Sequence, residues 1–175
     1  MMETYNPYLF IRQTQRKKFR ELLYPILIVV FSFILSYFFQ TDVLIIISLA
    51  GFIWYIYISI RYRVHQTLPV QDKKNIILAP LNSRVVKISE HHIVLKKKWY
   101  YNCEIRNPAN FPINYNINSS KTIFYEKNSN ILGKFIGIVP VKATCRIEIP
   151  QDFEIKVNKG EKLIAGETLL AAAKE

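Results

Sequence analysis

The chain is poor in cysteine and in acid. Cys103 and Cys145 are its only two thiols, too few for a disulfide framework and in keeping with a reducing compartment. Acidic residues number 13 against 24 Lys and Arg, a formal charge of +11 over 175 residues. Two stretches lack charge altogether: "LLYPILIVVFSFILSYFF", Leu22 to Phe39, and "VLIIISLAGFIWYIYISI", Val43 to Ile60. No small-residue cleavage site follows the first and a second apolar run begins almost at once, so a secretory signal is excluded. No amphipathic helix of convincing length is expected after Ile60, and no internal repeat points to a solenoid.

What is present begins with those two runs. As helices, 18 apolar residues reach about 27 Å, the thickness of a hydrocarbon core. The rest of the chain is too small to wrap two helices that are apolar on every face, which argues against a soluble core and for a membrane hairpin. With three residues between the runs, the hairpin either crosses fully or dips into one leaflet. Arg12, Arg16, Lys17, Lys18 and Arg20 precede the first run, Arg61, Arg63, Lys73 and Lys74 follow the second, and Asp42 alone lies between. Basic flanks stay on the cytoplasmic side, so both termini are expected there, at the inner (cytoplasmic) membrane. The expected organisation is a basic segment (1–21), the hairpin (22–60), a linker (61–75) and a β domain (76–175).

Residues 61–175 alone carry a formal +9. Beside an anionic bilayer, juxtamembrane cations are worth on the order of 1 kcal/mol each. Neither a recognition helix nor a stacking platform is visible, so lipid is favoured over nucleic acid as the partner. The run Lys96, Lys97, Lys98 followed by Trp99, Tyr100 and Tyr101 reads either as a solvated sheet edge or as a headgroup-contact patch.

Short β-rich runs bounded by Pro, Asn, Gly or Ser fill the chain after residue 75 and predict an all-β sandwich or barrel. "NPANFPINYNINSSK" is expected to mix loop with an edge strand. In "IKVNKGEKLIAGETLLAA", turns at Lys159-Gly160 and Ala165-Gly166 separate short strands, a hammerhead-like pattern also met in lipoyl and biotinyl domains. That pattern says fold rather than function. A modified lysine would need an exposed turn that is not visible, and an efflux adaptor would need a coiled-coil hairpin that is missing. A zinc site from Cys103, Cys145, His91 and His92 fits no known spacing, so no metal is expected.

Five motifs, in order, resemble the small membrane-anchored branch of the phosphatidylserine decarboxylase family. They are "ISIRYRVHQTLP" for the family's "FFRDPxRxxP", "APLNSRVVKI" for "SPADGRVVxI", and "CEIRNPANF" for "HVNRAPxxG". "GKFIGIVPVKATCRIEIP" echoes "GxxFGxIxFGSRVDLYLP", and "IKVNKGEKLIAGETLLA" echoes "VKVGDxVxAGETVIA". Pro80, Arg84, Arg106, Pro108 and Arg146 keep family residues.

The resemblance implies a self-cleaving proenzyme. A serine attacks the preceding carbonyl, the ester eliminates, and the new pyruvoyl end becomes the electron sink for decarboxylation. A His oriented by an Asp supplies the base. Here the Asp position holds Asn82, the His position Cys103, the Ser position Cys145 and its flanking Gly position Thr144. Asn82 cannot stabilise an imidazolium, and a buried cysteine without a base is ordinarily inert. The expectation is a degenerate homologue without a cofactor. It would bind aminophospholipid or support a lipid-synthesis enzyme, or pair with its own copy. Two alternatives stay open: an active decarboxylase with a pyruvoyl derived from Cys145, and a structural membrane-anchored adaptor. Thr144 as nucleophile would give a ketone with an extra methyl, not pyruvoyl.

Overall fold

The computed structural model describes residues 7–39, 41–65, 75–126 and 129–174. Most of the expected linker, with Lys73 and Lys74, and the first six residues lie outside these. Helix α1 (Pro7–Phe39) and helix α2 (Asp42–Arg61) form an antiparallel hairpin. Only 17% and 11% of their most apolar windows are covered by the rest of the chain. Core helices would be covered; two long bare apolar helices suggest membrane association. The helices approach closely at Gly51, where a Cβ would stand 2.9 Å from Val29 Cγ2 and 3.5 Å from the Pro25 carbonyl oxygen.

The expected boundary at residue 22 is a change of composition within one helix. The basic segment continues the same α-helix, because its Arg, Lys, Gln and Leu residues are good helix formers and one of its faces is buried. Phe10 stacks on Tyr125 at 5.5 Å and meets Phe135 edge-on, Thr14 is hydrogen-bonded to Tyr125 at 2.9 Å, and Lys121 pairs with Glu21.

Among the described residues eleven strands follow: β1 (Ile76–Leu78), β2 (Ser83–Ser89), β3 (His92–Lys97), β4 (Glu104–Arg106), β5 (Tyr115–Asn118), β6 (Ile123–Phe124), β7 (Phe135–Ile138), β8 (Ala143–Glu148), β9 (Phe153–Ile155), β10 (Lys162–Leu163) and β11 (Leu169–Ala173). Among the described residues no helix follows Arg61. The strands form three sheets, ordered β10-β2-β3-β8-β5, β1-β11-β9 and β4-β7-β6, and no closed barrel. β5 is an edge strand, as its Asn- and Pro-rich surroundings suggest.

Two apolar clusters hold this together. The larger joins Ile77, Val85, Leu95, Ile105, Ile136, Cys145, Ile147, Leu163 and Leu170, drawn from all three sheets. The smaller joins Leu22, Ile58 and Tyr62 of the hairpin region to Cys103, Phe135 and Ile138, and so fastens the helices to the β4-β7-β6 sheet. Each fully buried Leu or Ile side chain contributes about 2 kcal/mol, so this seam is more than a flexible tether.

Candidate functional site

Asn82 lies in the bend that follows Pro80 and leads into β2, 8% exposed. Its Nδ2 donates to Glu104 Oε1 at 2.8 Å, and its Oδ1 accepts from the Ala165 N–H at 3.4 Å. Glu104 begins β4 and is wholly buried; its Oε2 accepts from the His65 N–H at 2.6 Å. Burial pushes the Glu104 carboxyl above its ordinary range, while Arg106, the Asn82 amide and the His65 N–H draw it back. Two residues on, Arg106 faces the same surroundings. Its Nη1 donates to the Gly133 carbonyl at 3.0 Å and its Nη2 to the His65 carbonyl at 2.9 Å. Gly166 makes room for it: φ is +74°, and a Cβ would meet Arg106 Cδ at 2.5 Å.

This network fastens the exit of α2. Both backbone polar groups of His65 are taken by buried charged side chains, the Cys103 N–H donates to the Arg63 carbonyl at 2.8 Å, and Arg61 Nε donates to the Pro140 carbonyl at 3.1 Å. The chain leaving α2 is thus held residue by residue against β4 and the β7–β8 turn. The His65 side chain itself only meets Glu167 at 4.0 Å in the open, a contact worth little.

Cys103 and Cys145 lie in separate apolar clusters, and Asn82 is bonded to Glu104. Cys103 belongs to the cluster beneath the helices, while Cys145 on β8 lies in the larger core opposite Leu95 and Ile117. Burial pushes both thiols up to about 12, and for Cys145 burial is the sole cause. Such thiols stay protonated and non-nucleophilic at neutral pH. Thr144 points outward, away from Cys145, because neighbouring strand residues take opposite faces. His91 is exposed in the turn before β3, and His92 follows on the strand.

The lysine run needs a correction. Lys96 and Lys98 are exposed, but Lys97 is 1% exposed, so it is no part of a surface patch. The inward set of β3 is Ile93, Leu95 and Lys97, and strand alternation sends the middle lysine inside. Its Nζ donates to the carbonyls of Lys98 at 3.2 Å and Tyr101 at 3.0 Å, holding the turn that carries Trp99. Burial pushes the Lys97 ammonium down to about 8, against the opposing pull of Cys103 and Glu104. Trp99 lies 5.2 Å from the Tyr57 ring of α2, whose other neighbour is the Arg61 guanidinium at 5.1 Å. Aromatic rings with cations at a helix end are characteristic of the membrane–water interface.

Of the residues expected from the decarboxylase resemblance, Arg106 is buried in the network. Pro80 accepts the Arg106 N–H at 2.9 Å, and Pro108 accepts the Leu78 N–H at 2.8 Å. Arg84 and Arg146 are exposed on the five-stranded sheet. Sequence reasoning missed Glu104. The signal for it was an acid two positions before Arg106 in a stretch rich in buried apolar residues, where alternation sets both on one face.

A protein of Methanosarcina barkeri provisionally named as an archaetidylserine decarboxylase proenzyme is 43% identical over 49 residues, spanning 27% of this chain and 24% of that protein. This weak, partial similarity supports a phosphatidylserine-decarboxylase-like relationship and nothing finer. No protein-family profile matches the chain, and no solved structure matches it.

Proposed function

We propose that the chain is a membrane-anchored, phosphatidylserine-decarboxylase-like protein that keeps the scaffold without its self-processing chemistry. On this reading the β domain, with a hammerhead-like C-terminal half, lies at the cytoplasmic face of the inner membrane. There it binds or presents an aminophospholipid, or supports a lipid-metabolism enzyme. The observation that carries the non-catalytic part is the use made of the family's positions. The Asn82 amide is committed to Glu104, and the Cys145 thiol is enclosed by apolar side chains with its proton held tightly. A self-cleaving site needs a nucleophile that a base can reach.

The intact mass of the purified chain tests this. A single unprocessed mass is expected. A C-terminal fragment of 31 residues, 145 to 175, reactive towards carbonyl probes, would establish the opposite: a pyruvoyl made from Cys145 and an active decarboxylase. The lipid role is tested by binding of the chain to phosphatidylserine in vesicles against phosphatidylcholine alone.

A further inference from the structure

The register of the five-stranded sheet sets cations side by side on its outer face. Lys162 of β10 stands opposite Arg84 of β2, Arg84 opposite Lys96 of β3, Lys96 opposite Thr144 of β8, and Thr144 opposite Asn118 of β5. All five are exposed. With strands about 4.8 Å apart, three cations fall within roughly 10 Å. Like charges directly opposite each other across a ladder are destabilising, yet among the described residues no carboxylate lies within ion-pair distance of the three. Glu161, next to Lys162, turns its carboxylate back to the Asn158 N–H at 2.8 Å.

The charge is also graded along the strands. One row further on, Lys87 faces Val94, Val94 faces Arg146 and Arg146 faces Asn116; the next row runs from Ser89 to His92 to Glu148. Glu148 stands about 13 Å along the strand from the Lys96 row. The cationic end is the end beside the hairpin. Lys96 is three residues from Trp99, which packs on Tyr57; Lys162 lies over the Tyr101 ring at 5.9 Å; and Pro140, just before β8, accepts from Arg61.

We propose that this outer sheet face is a docking surface for anionic phospholipid headgroups, with Lys162, Arg84 and Lys96 forming the row that takes their phosphates. It rests on the membrane-anchored reading above and on no catalytic property. The occupant follows from charge complementarity and position: among the described residues the row has no acidic partner, and it sits at the end of the sheet that the Trp99–Tyr57 contact holds beside α2.

Amine acylation of the full chain in lipid nanodiscs, read by mass spectrometry, tests the proposal. Replacing phosphatidylcholine discs by discs containing phosphatidylglycerol or phosphatidylserine is expected to slow acylation of Lys96 and Lys162 about fivefold, the factor one cation near anionic headgroups is worth. Lys87, one row further out, should be slowed less, and high salt should abolish the difference. Arg84→Gln with Lys162→Gln should remove the protection of Lys96 without lowering the unfolding midpoint, since it also relieves the like-charge repulsion across the ladder. Equal rates in neutral and anionic discs would overturn the headgroup surface alone, whereas a chain that does not enter discs would overturn the anchor as well. Protection by inorganic phosphate in phosphatidylcholine discs would assign the row to a soluble anion and overturn the lipid. Protection by phosphatidylserine but not phosphatidylglycerol would overturn this charge-based surface and leave the aminophospholipid reading standing.

Discussion

Asn82→Asp, which installs the aspartate that the decarboxylase resemblance calls for, should weaken the fold and not start self-cleavage. The substitution replaces the amide 2.8 Å from Glu104 Oε1 with a second carboxylate in a site almost closed to water. Two full charges at that distance repel by about 6 kcal/mol at an effective dielectric of about 20. Retaining one proton is cheaper: holding a carboxyl protonated at pH 7 costs about 4 kcal/mol relative to an aspartate free to ionise, and about 1.5 kcal/mol at pH 5. The pair therefore keeps a proton, which also preserves an O–H···O hydrogen bond. The sign follows from linkage. The folded pKa of the pair lies above the unfolded value, so stability present at low pH is lost as pH rises. Urea unfolding of the full chain in micelles, wild type against variant, should show the deficit growing by about 2.5 kcal/mol from pH 5 to pH 7. A deficit independent of pH would refute the buried-pair reasoning, and release of residues 145–175 would refute the claim that the missing base is not the only barrier to processing.

Three further outcomes are expected. Cys145→Ser should leave the chain uncleaved, and it should destabilise the fold by about 1–3 kcal/mol because a hydroxyl replaces a thiol in an apolar core; intact mass and thermal unfolding check both. Between pH 8 and pH 9 wild type should gain stability relative to Lys97→Met by about 1 kcal/mol, because the unfolded chain still holds a proton that folded Lys97, pushed down to about 8, has released. The two buried thiols, whose unfolded counterparts ionise over the same range, lower the stability of both chains alike and drop out of the difference, which urea unfolding at the two pH values measures. Gly51→Leu should separate the helices, at a cost of about 1–3 kcal/mol for overpacking against Val29 and Ile28, seen as reduced thermal stability of the hairpin in micelles.

Much of the architecture was legible because its signals are local. Uncharged runs of 18 residues mark the helices whatever surrounds them, and alternating short runs between Gly, Pro and Asn mark strands. The strand at Glu104–Arg106 was hidden because three residues carry too little pattern. The headgroup patch was misdrawn for a different reason: three consecutive lysines look alike in composition, but a strand has two faces, and the phase set by Ile93 and Leu95 puts Lys97 inside.

By itself, then, the sequence determined where the apolar helices run and that β structure follows them, and it set Asn82, Cys103 and Cys145 where the decarboxylase resemblance calls for Asp, His and Ser. Those are properties of single residues and short windows. Only the tertiary structure decided what those three residues do, because burial and partnership depend on residues far apart in the chain. It paired Asn82 with Glu104 and Glu104 with the backbone of His65. It sent Cys103 and Cys145 into separate apolar clusters, and it aligned Lys162, Arg84 and Lys96 from three strands into one row.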